Sequence, residues 1–339
     1  ASGRAGERAS GRAGERARNN NFPNPDVLLM FARPPARQPA RPRFESRQPA
    51  CPRMISRMSS PTKIAAGDAA CEKLARSHYE NFTVGSWFLP KDMRRDFFAV
   101  YAFCRATDDI GDEAPGDRLA ALDAWEKDLR KCWGGEPAEI MLVALARTIR
   151  ERKLRQDPFL RLIEANRMDQ RQSRWESWDD LRRYCAHSAD PVGRMVLGLF
   201  GQDDAKRGPL SDAICTGLQL ANHWQDVGRD AAEKGRIYLP LEDLAQHGVK
   251  EADVIARRSS PAFVALMKSQ VDRARALFDE GEPLLDLVSG TLKRDVKLFL
   301  GGGRAILDAI EKQGWDTLVK RPKVSRKTKV WLAMKALVG

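Results

Sequence analysis

Four histidines and six cysteines in 339 residues leave little material for a metal site of nitrogen or sulfur ligands. The cysteines stand at 51, 71, 104, 132, 185 and 215, with no CxxC, and the histidines form no HxxxH. A zinc site therefore has no frame, and the thiols read as reduced and mostly structural, as expected of a cytoplasmic protein. No apolar run reaches the ~18–20 residues that span a bilayer. VLLMF at 27–31 is too short for a signal-peptide core. Alternating strand-like runs are nearly absent. Gly301-Gly302-Gly303 is no phosphate loop, because no strand precedes it and no GK[ST] follows; close helix packing or room for a long apolar tail explains it better.

The net charge of +12 belongs to the two ends. Residues 1–57 hold 12 Arg against 4 acids, residues 317–339 hold seven Lys or Arg and no acid, and the body between is slightly acidic. That distribution gives no argument for a nucleic-acid-binding body. ASGRAGER occurs at 1–8 and again at 9–16. Residues 1–57, poor in apolar side chains, are expected to be a disordered Arg/Gly/Pro-rich leader. They are either a basic arm or an over-extended start, with Met54 or Met58 as the natural first residue. One helical domain is expected over 58–339, ending in a basic tail from 317.

From about residue 64 apolar residues recur at three and four, as on one face of a helix. The pattern predicts helices at 93–113, 120–129, 136–151, 157–168, 178–187, 191–200, 211–230, 261–279 and 290–312, separated by breaks such as Pro115-Gly116 and Gly134-Gly135. Nine or ten helices in one domain are too many for a four-helix bundle.

Asp108, Asp109, Asp112 and Glu113 crowd four acids into six residues at the C-terminal end of an otherwise apolar helix. Residues four apart share a helix face, so Asp108 and Asp112 point the same way. The helix macrodipole disfavours anions there, so something positive must offset them. A second ladder, Asn222, Asp226 and Asp230, is spaced at four and four, opposite an apolar face from Leu220, Trp224 and Val227. A single acidic pair at this spacing is usually a solvated face. Two of them on helices that must be packed suit hard cations such as Mg²⁺, which takes one or two carboxylates plus water and phosphate oxygens. Arg105, Arg229 and Arg236 are near enough in sequence to meet phosphate charge.

YAFCRATDDIGDE (101–113) and LQLANHWQDVGRDAAEKGRIYLP (218–240), with SHYENFTVGSWFLP (77–90) as an opening segment, resemble the squalene/phytoene synthase family of head-to-head prenyl synthases. The resemblance runs from about residue 70 to 315. It implies an all-α isoprenoid synthase fold with a central cavity, in which Mg²⁺ ions between the two acidic helices hold a diphosphate. Within the family the chain is most similar to the hydroxysqualene synthases of bacterial hopanoid biosynthesis. The marks are ANHWQDV (221–227), YCAHSADPVGRMV (184–196) and FLGGGRAILDAIE (299–311), where Gly303 falls at a position that phytoene synthases typically fill with Tyr.

The resemblance implies conversion of presqualene diphosphate and water to hydroxysqualene and diphosphate. Squalene, presqualene diphosphate or phytoene synthesis is the alternative, and a non-catalytic paralogue is disfavoured because all four ladder aspartates are present. By the same resemblance Asp108, Asp112, Asn222, Asp226 and Asp230 bind Mg²⁺, Arg105, Arg236, Asn222 and Gln219 bind diphosphate with Tyr101 as a hydrogen-bonding neighbour, and Tyr101 and Tyr184 count with the four aspartates as catalytic. Phe82, Trp87, Phe97, Val192 and Leu218 are the expected cavity lining, although core packing alone explains any one of them. Gln219, His187, Ser188 and His223 are candidates for placing the quenching water. The tail KRPKVSRKTKVWLAMKALV (320–338) has the make-up of an interfacial helix. It suggests peripheral contact with the inner membrane, against plain docking on the body.

Overall fold

The computed structural model describes residues 60–77 and 91–338. The expectations on residues 1–57, Phe82 and Trp87 lie outside the described residues. Among the described residues there are helices and no strands. The helices are α1 (Pro61–Ser77), α2 (Lys91–Glu113), α3 (Arg118–Arg130), α4 (Ile140–Arg152), α5 (Asp157–Arg171), α6 (Trp178–Ser188), α7 (Asp190–Leu199), α8 (Arg207–Glu233), α9 (Leu241–Gln246), α10 (Glu251–Ile255), α11 (Pro261–Gly281), α12 (Leu284–Leu287), α13 (Gly290–Lys312) and α14 (Arg326–Val338).

All nine helices expected from periodicity are present, and their ends show why the boundaries moved. The helix expected from 136 starts at Ile140, because the Asp128 carboxylate accepts the Ala138 and Glu139 N–H groups at 2.8–3.0 Å and ties that stretch into a loop. Asp117, Ser177 and Ser260 cap α3, α6 and α11 by accepting N–H bonds two or three residues into the helix, which replaces donors the first turn leaves unpaired. α9, α10 and α12 are of six residues or fewer, too short to carry a readable period.

α8 is the axis of the molecule. It packs against α7, α11 and α13 along its length and against α6, α10 and α12 more locally, while α2 packs on α1, α3, α4 and α5. α7 touches both α2 and α8 and so joins the two acidic helices. Trp224, Leu220 and Ala221 are fully buried on α8, as are Phe103 and Ala102 on α2. Burying such faces at roughly 25 cal/mol per Å² fixes the rotation of each helix and decides where its acids point.

The glycine run on α13 is explained by close packing. A Cβ on Gly303 would fall inside the contact distance of the Phe278 ring and 2.9 Å from Leu218 Cδ2, while a Cβ on Gly217 of α8 would stand 2.9 Å from the same ring. Phe278 is fully buried in the space the two glycines leave.

Candidate active site

The C-terminal end of α2 opens into a cavity of about 300 Å³ lined by Arg105, Asp108, Asp109, Asp112, Glu113, Arg118, Glu233, Lys234 and Arg236. The first acidic cluster thus faces the end of α8 and the turn after it. Arg105, one turn before Asp109, pairs with it at 2.5 Å and lies 3.7 Å from Glu113. Arg236 lies 3.6 Å from Asp112 and donates to the Asp169 carbonyl at 3.3 Å. These two arginines are the positive offset that the acids required. Each is mostly buried yet borders the cavity, so each can turn to an anionic ligand without leaving its helix or turn.

Asp108 receives an N–H bond from Asn166 at 3.3 Å, and the Gln170 amide donates to the Gly111 carbonyl at 2.8 Å. Both come from α5, which buttresses the acidic turn. Sequence reading missed Asn166, Asp169 and Gln170. Their signal was polar residues at three and four on a face that also carries Leu162 and Ile163.

The second ladder stands beside the cavity and does not line it. Asn222 is buried, and its side-chain oxygen has no hydrogen-bond partner. Asp226 is clasped by two arginines. Arg321 bonds it through Nε at 2.6 Å and Nη2 at 3.1 Å, and Arg229 lies 3.6 Å away while also pairing with Glu233. Asp230 ends the ladder, its carbonyl accepting the Lys234 and Arg236 N–H groups that turn the chain back toward α2. Among the described residues no three acids, histidines or cysteines stand close enough to hold a metal ion by themselves. An all-oxygen set with one or two carboxylates per ion, and an orphaned buried amide oxygen on the same face, still fits Mg²⁺, whose other ligands come from water and phosphate.

Tyr184 is fully buried, and its hydroxyl donates to Asp169 at 3.2 Å. Its ring belongs to an aromatic wall with Trp175 (5.1 Å between centroids) and Tyr238 (5.8 Å), and the His223 imidazole stacks on Tyr238 at 3.5 Å. The Gln219 amide nitrogen lies 3.0 Å from His223 Nε2, so the amide donates and the ring nitrogen accepts. The chain Tyr184–Asp169–Arg236–Asp112 therefore links this wall to the acid-lined cavity. Trp175 and Tyr238 were not expected from sequence.

Tyr101 is buried one turn before Arg105, and burial pushes its phenol up to about 12, so it stays a proton donor near neutrality. Phe97, Val192 and Leu218 are buried in the continuous core. His187 bonds the Arg183 carbonyl of its own helix at 2.8 Å, half-buried at the rim, and Ser188 is half-buried beside it.

An all-α fold with one acidic helix end facing a cavity and a second acidic ladder beside it fits an isoprenoid synthase type of protein, and comparison with known proteins agrees. The squalene/phytoene synthase family model matches residues 75–328. The 15-cis-phytoene synthase of Synechococcus elongatus is 34% identical over 75% of this chain and 87% of its own length. The chloroplastic phytoene synthase 1 of Solanum lycopersicum is 34% identical over 77% of this chain, which spans only 65% of that protein. Among solved structures, squalene synthase HpnC from Alicyclobacillus acidocaldarius is 51% identical with a TM-score of 0.73, covering 76% of this chain and 97% of that one. A dehydrosqualene synthase is 27% identical with the same TM-score, covering 81% and 97%. This chain belongs to the squalene/phytoene synthase family, whose members are isoprenoid synthases acting on isoprenoid diphosphates.

Proposed function

We propose that this chain converts presqualene diphosphate and water to hydroxysqualene and diphosphate with Mg²⁺, within squalene and hopanoid biosynthesis. The observation that carries the reading is the paired placement of the α2 acids with Arg105 and Arg236 around one cavity, in a chain 51% identical to squalene synthase HpnC of Alicyclobacillus acidocaldarius. The marks at 184–196, 221–227 and 299–311 favour the hydroxysqualene branch. The phytoene synthase relatives keep head-to-head prenyl transfer as the second reading.

In this reading Asp108 and Asp112 on α2, and Asn222, Asp226 and Asp230 on α8, hold the metal. What bound Mg²⁺ supplies is neutralisation of charge on the departing diphosphate, the kind of electrostatic help that dominates such reactions. Arg105 and Arg236 bind diphosphate oxygens. The Tyr184, Trp175 and Tyr238 rings face the passing cation, to which an aromatic face is attractive. Gln219 and His223 fix one another and would hold the quenching water, whose oxygen bonds to the cationic carbon as its proton passes to the released diphosphate.

The decisive assay incubates the full chain with Mg²⁺ and presqualene diphosphate and identifies extracted lipids by mass spectrometry. Hydroxysqualene is expected. Turnover of farnesyl or geranylgeranyl diphosphate instead would move the assignment to the second reading. Asp226→Asn should abolish turnover with the helical circular dichroism intact, and surviving activity would refute the metal assignment.

No helix among the described residues is long and apolar enough to cross a membrane. We infer peripheral lipid contact instead, through the outward face of α14. Arg326, Lys327, Val330, Trp331, Met334 and Lys335 are all exposed and recur at three and four along one side of that helix. Val330 is 59% exposed, and Trp331 and Met334 are each 53% exposed. Leu332 lies over Gly301 of α13, and Trp331, Met334 and Lys335 also border a cavity of about 700 Å³ against Leu300, Gly301 and Arg304 of that helix. A helix apolar on both sides and basic at its ends suits an anionic bilayer surface. Cosedimentation with phosphatidylglycerol vesicles, weakened by Trp331→Ala and absent with phosphatidylcholine, is the expected result. Equal binding to both lipids would contradict it.

A further inference from the structure

The strap between α13 and α14 runs across the second acidic ladder, and it is held there by more than one contact. Gln225 donates to the Pro322 carbonyl at 2.7 Å. Gln313 donates to the Asp316 and Lys320 carbonyls at 2.6 Å each, folding the strap on itself. Leu318 is buried, and its backbone lies so close to Gly228 that a Cβ there would collide with the Leu318 carbonyl. The strap therefore sits flush on α8 at Gly228, between the ladder residues Asp226 and Asp230.

Its consequence is the position of Arg321. The guanidinium makes a two-pronged ion pair with Asp226, using both carboxylate oxygens. Those are the oxygens that a ladder carboxylate needs for a hard cation. A carboxylate cannot give the same lone pairs to a guanidinium and to a divalent ion at full strength. Asp226 is 12% exposed and Arg321 25%, so the acid is held in a partly desolvated place while the arginine keeps an opening through which to turn away.

We infer that Arg321 is the resident counter-cation of Asp226: it neutralises the ladder when no metal is bound and must give up Asp226 when a divalent ion arrives. The inference rests on the reading of Asp226 as a metal ligand. Its physical basis is that like charges at four-residue spacing near a helix C-terminus need a positive neighbour at all times, and the backbone contacts at Gln225 and Gly228 keep the strap in place whichever cation is present. Arg321 is thus a positioning residue that sets how readily the site takes its metal.

The test counts free Mn²⁺ by electron paramagnetic resonance in titrations of the full chain with Mn²⁺ alone. The wild-type chain, Arg321→Gln, Arg321→Lys and Asp226→Asn are compared, with far-ultraviolet circular dichroism checking each fold. Removing a competing ion pair of this burial should tighten Mn²⁺ binding by about 3- to 30-fold in Arg321→Gln. Arg321→Lys, which keeps a cation but loses the fork, should fall between, and Asp226→Asn should lose the site. If Asp226→Asn loses Mn²⁺ while Arg321→Gln binds it no more tightly than wild type, the counter-cation role is wrong and the metal reading stands. If Asp226→Asn binds like wild type, both fail. Absence of Mn²⁺ binding in wild type and Arg321→Gln alike also overturns the inference.

Discussion

Gly303→Ala separates the two explanations of the glycine run. Two opposing terms decide the outcome. Replacing a mid-helix glycine by alanine favours the helix by about 1 kcal/mol. Against that, the new methyl would meet the Phe278 ring and Leu218 Cδ2, and Phe278 has no room to yield because Gly217 and the core close its other side. Forcing a methyl into a site whose neighbours cannot yield costs about 2–3 kcal/mol, the upper part of the range for overpacking. The net expectation is a loss of about 1–2 kcal/mol, or a fall in Tm of roughly 2–6 °C for a chain of this size. Thermal melts followed by circular dichroism would measure it. Phe278→Leu should relieve the clash, so the double variant should be less destabilised than the sum of the single ones, by about 0.5 kcal/mol or more. A neutral or stabilised Gly303→Ala would refute the packing argument and return the run to the alternative of space for an apolar tail.

Other outcomes follow from buried charge. Asp96 is fully buried and bonds Arg147 at 2.7 Å and Arg152 at 2.8 Å; Asp96→Ala should destabilise the chain by about 3 kcal/mol in urea unfolding, because it takes from the buried Arg147 its fully buried partner and leaves it the more exposed Asp68 and Glu151. Asp295 is buried with one carboxylate oxygen unpaired, and burial raises its pKa from 3.8 to about 7. The folded chain then binds a proton that the unfolded chain has released, so stability falls as pH rises from about 4 to 7 and is level above that. Asp295→Asn should remove that decline and be on the order of 3 kcal/mol more stable relative to wild type at pH 8 than at pH 4; an unchanged pH profile would count against it. Thr107 accepts the Trp125 indole N–H at 2.9 Å inside the core, so Thr107→Val should cost about 1–3 kcal/mol by leaving that donor unpaired.

Much of the site was legible because each half of it is local. Asp108 and Asp112, or Asn222, Asp226 and Asp230, share a face by helical spacing alone, and the apolar residues opposite them say which face is buried. Arg105 was legible for the same reason, being one turn from Asp109. What was not legible is whatever reaches a ladder from another element. Asn166, Asp169 and Gln170 come from α5, Trp175 and Tyr238 from loops, and Arg321 from 95 residues beyond Asp226.

By itself the sequence determined the all-α class, the nine long helices, the two acid ladders and the need for positive charge beside them, since periodicity, spacing and the helix dipole are properties of neighbouring residues. Only the tertiary structure decided which cations meet that need. Arg236 joins Arg105 at the first cluster and Arg321 comes to the second, because the pairing of distant charges depends on how buried faces set the rotation of helices that the chain order does not place side by side.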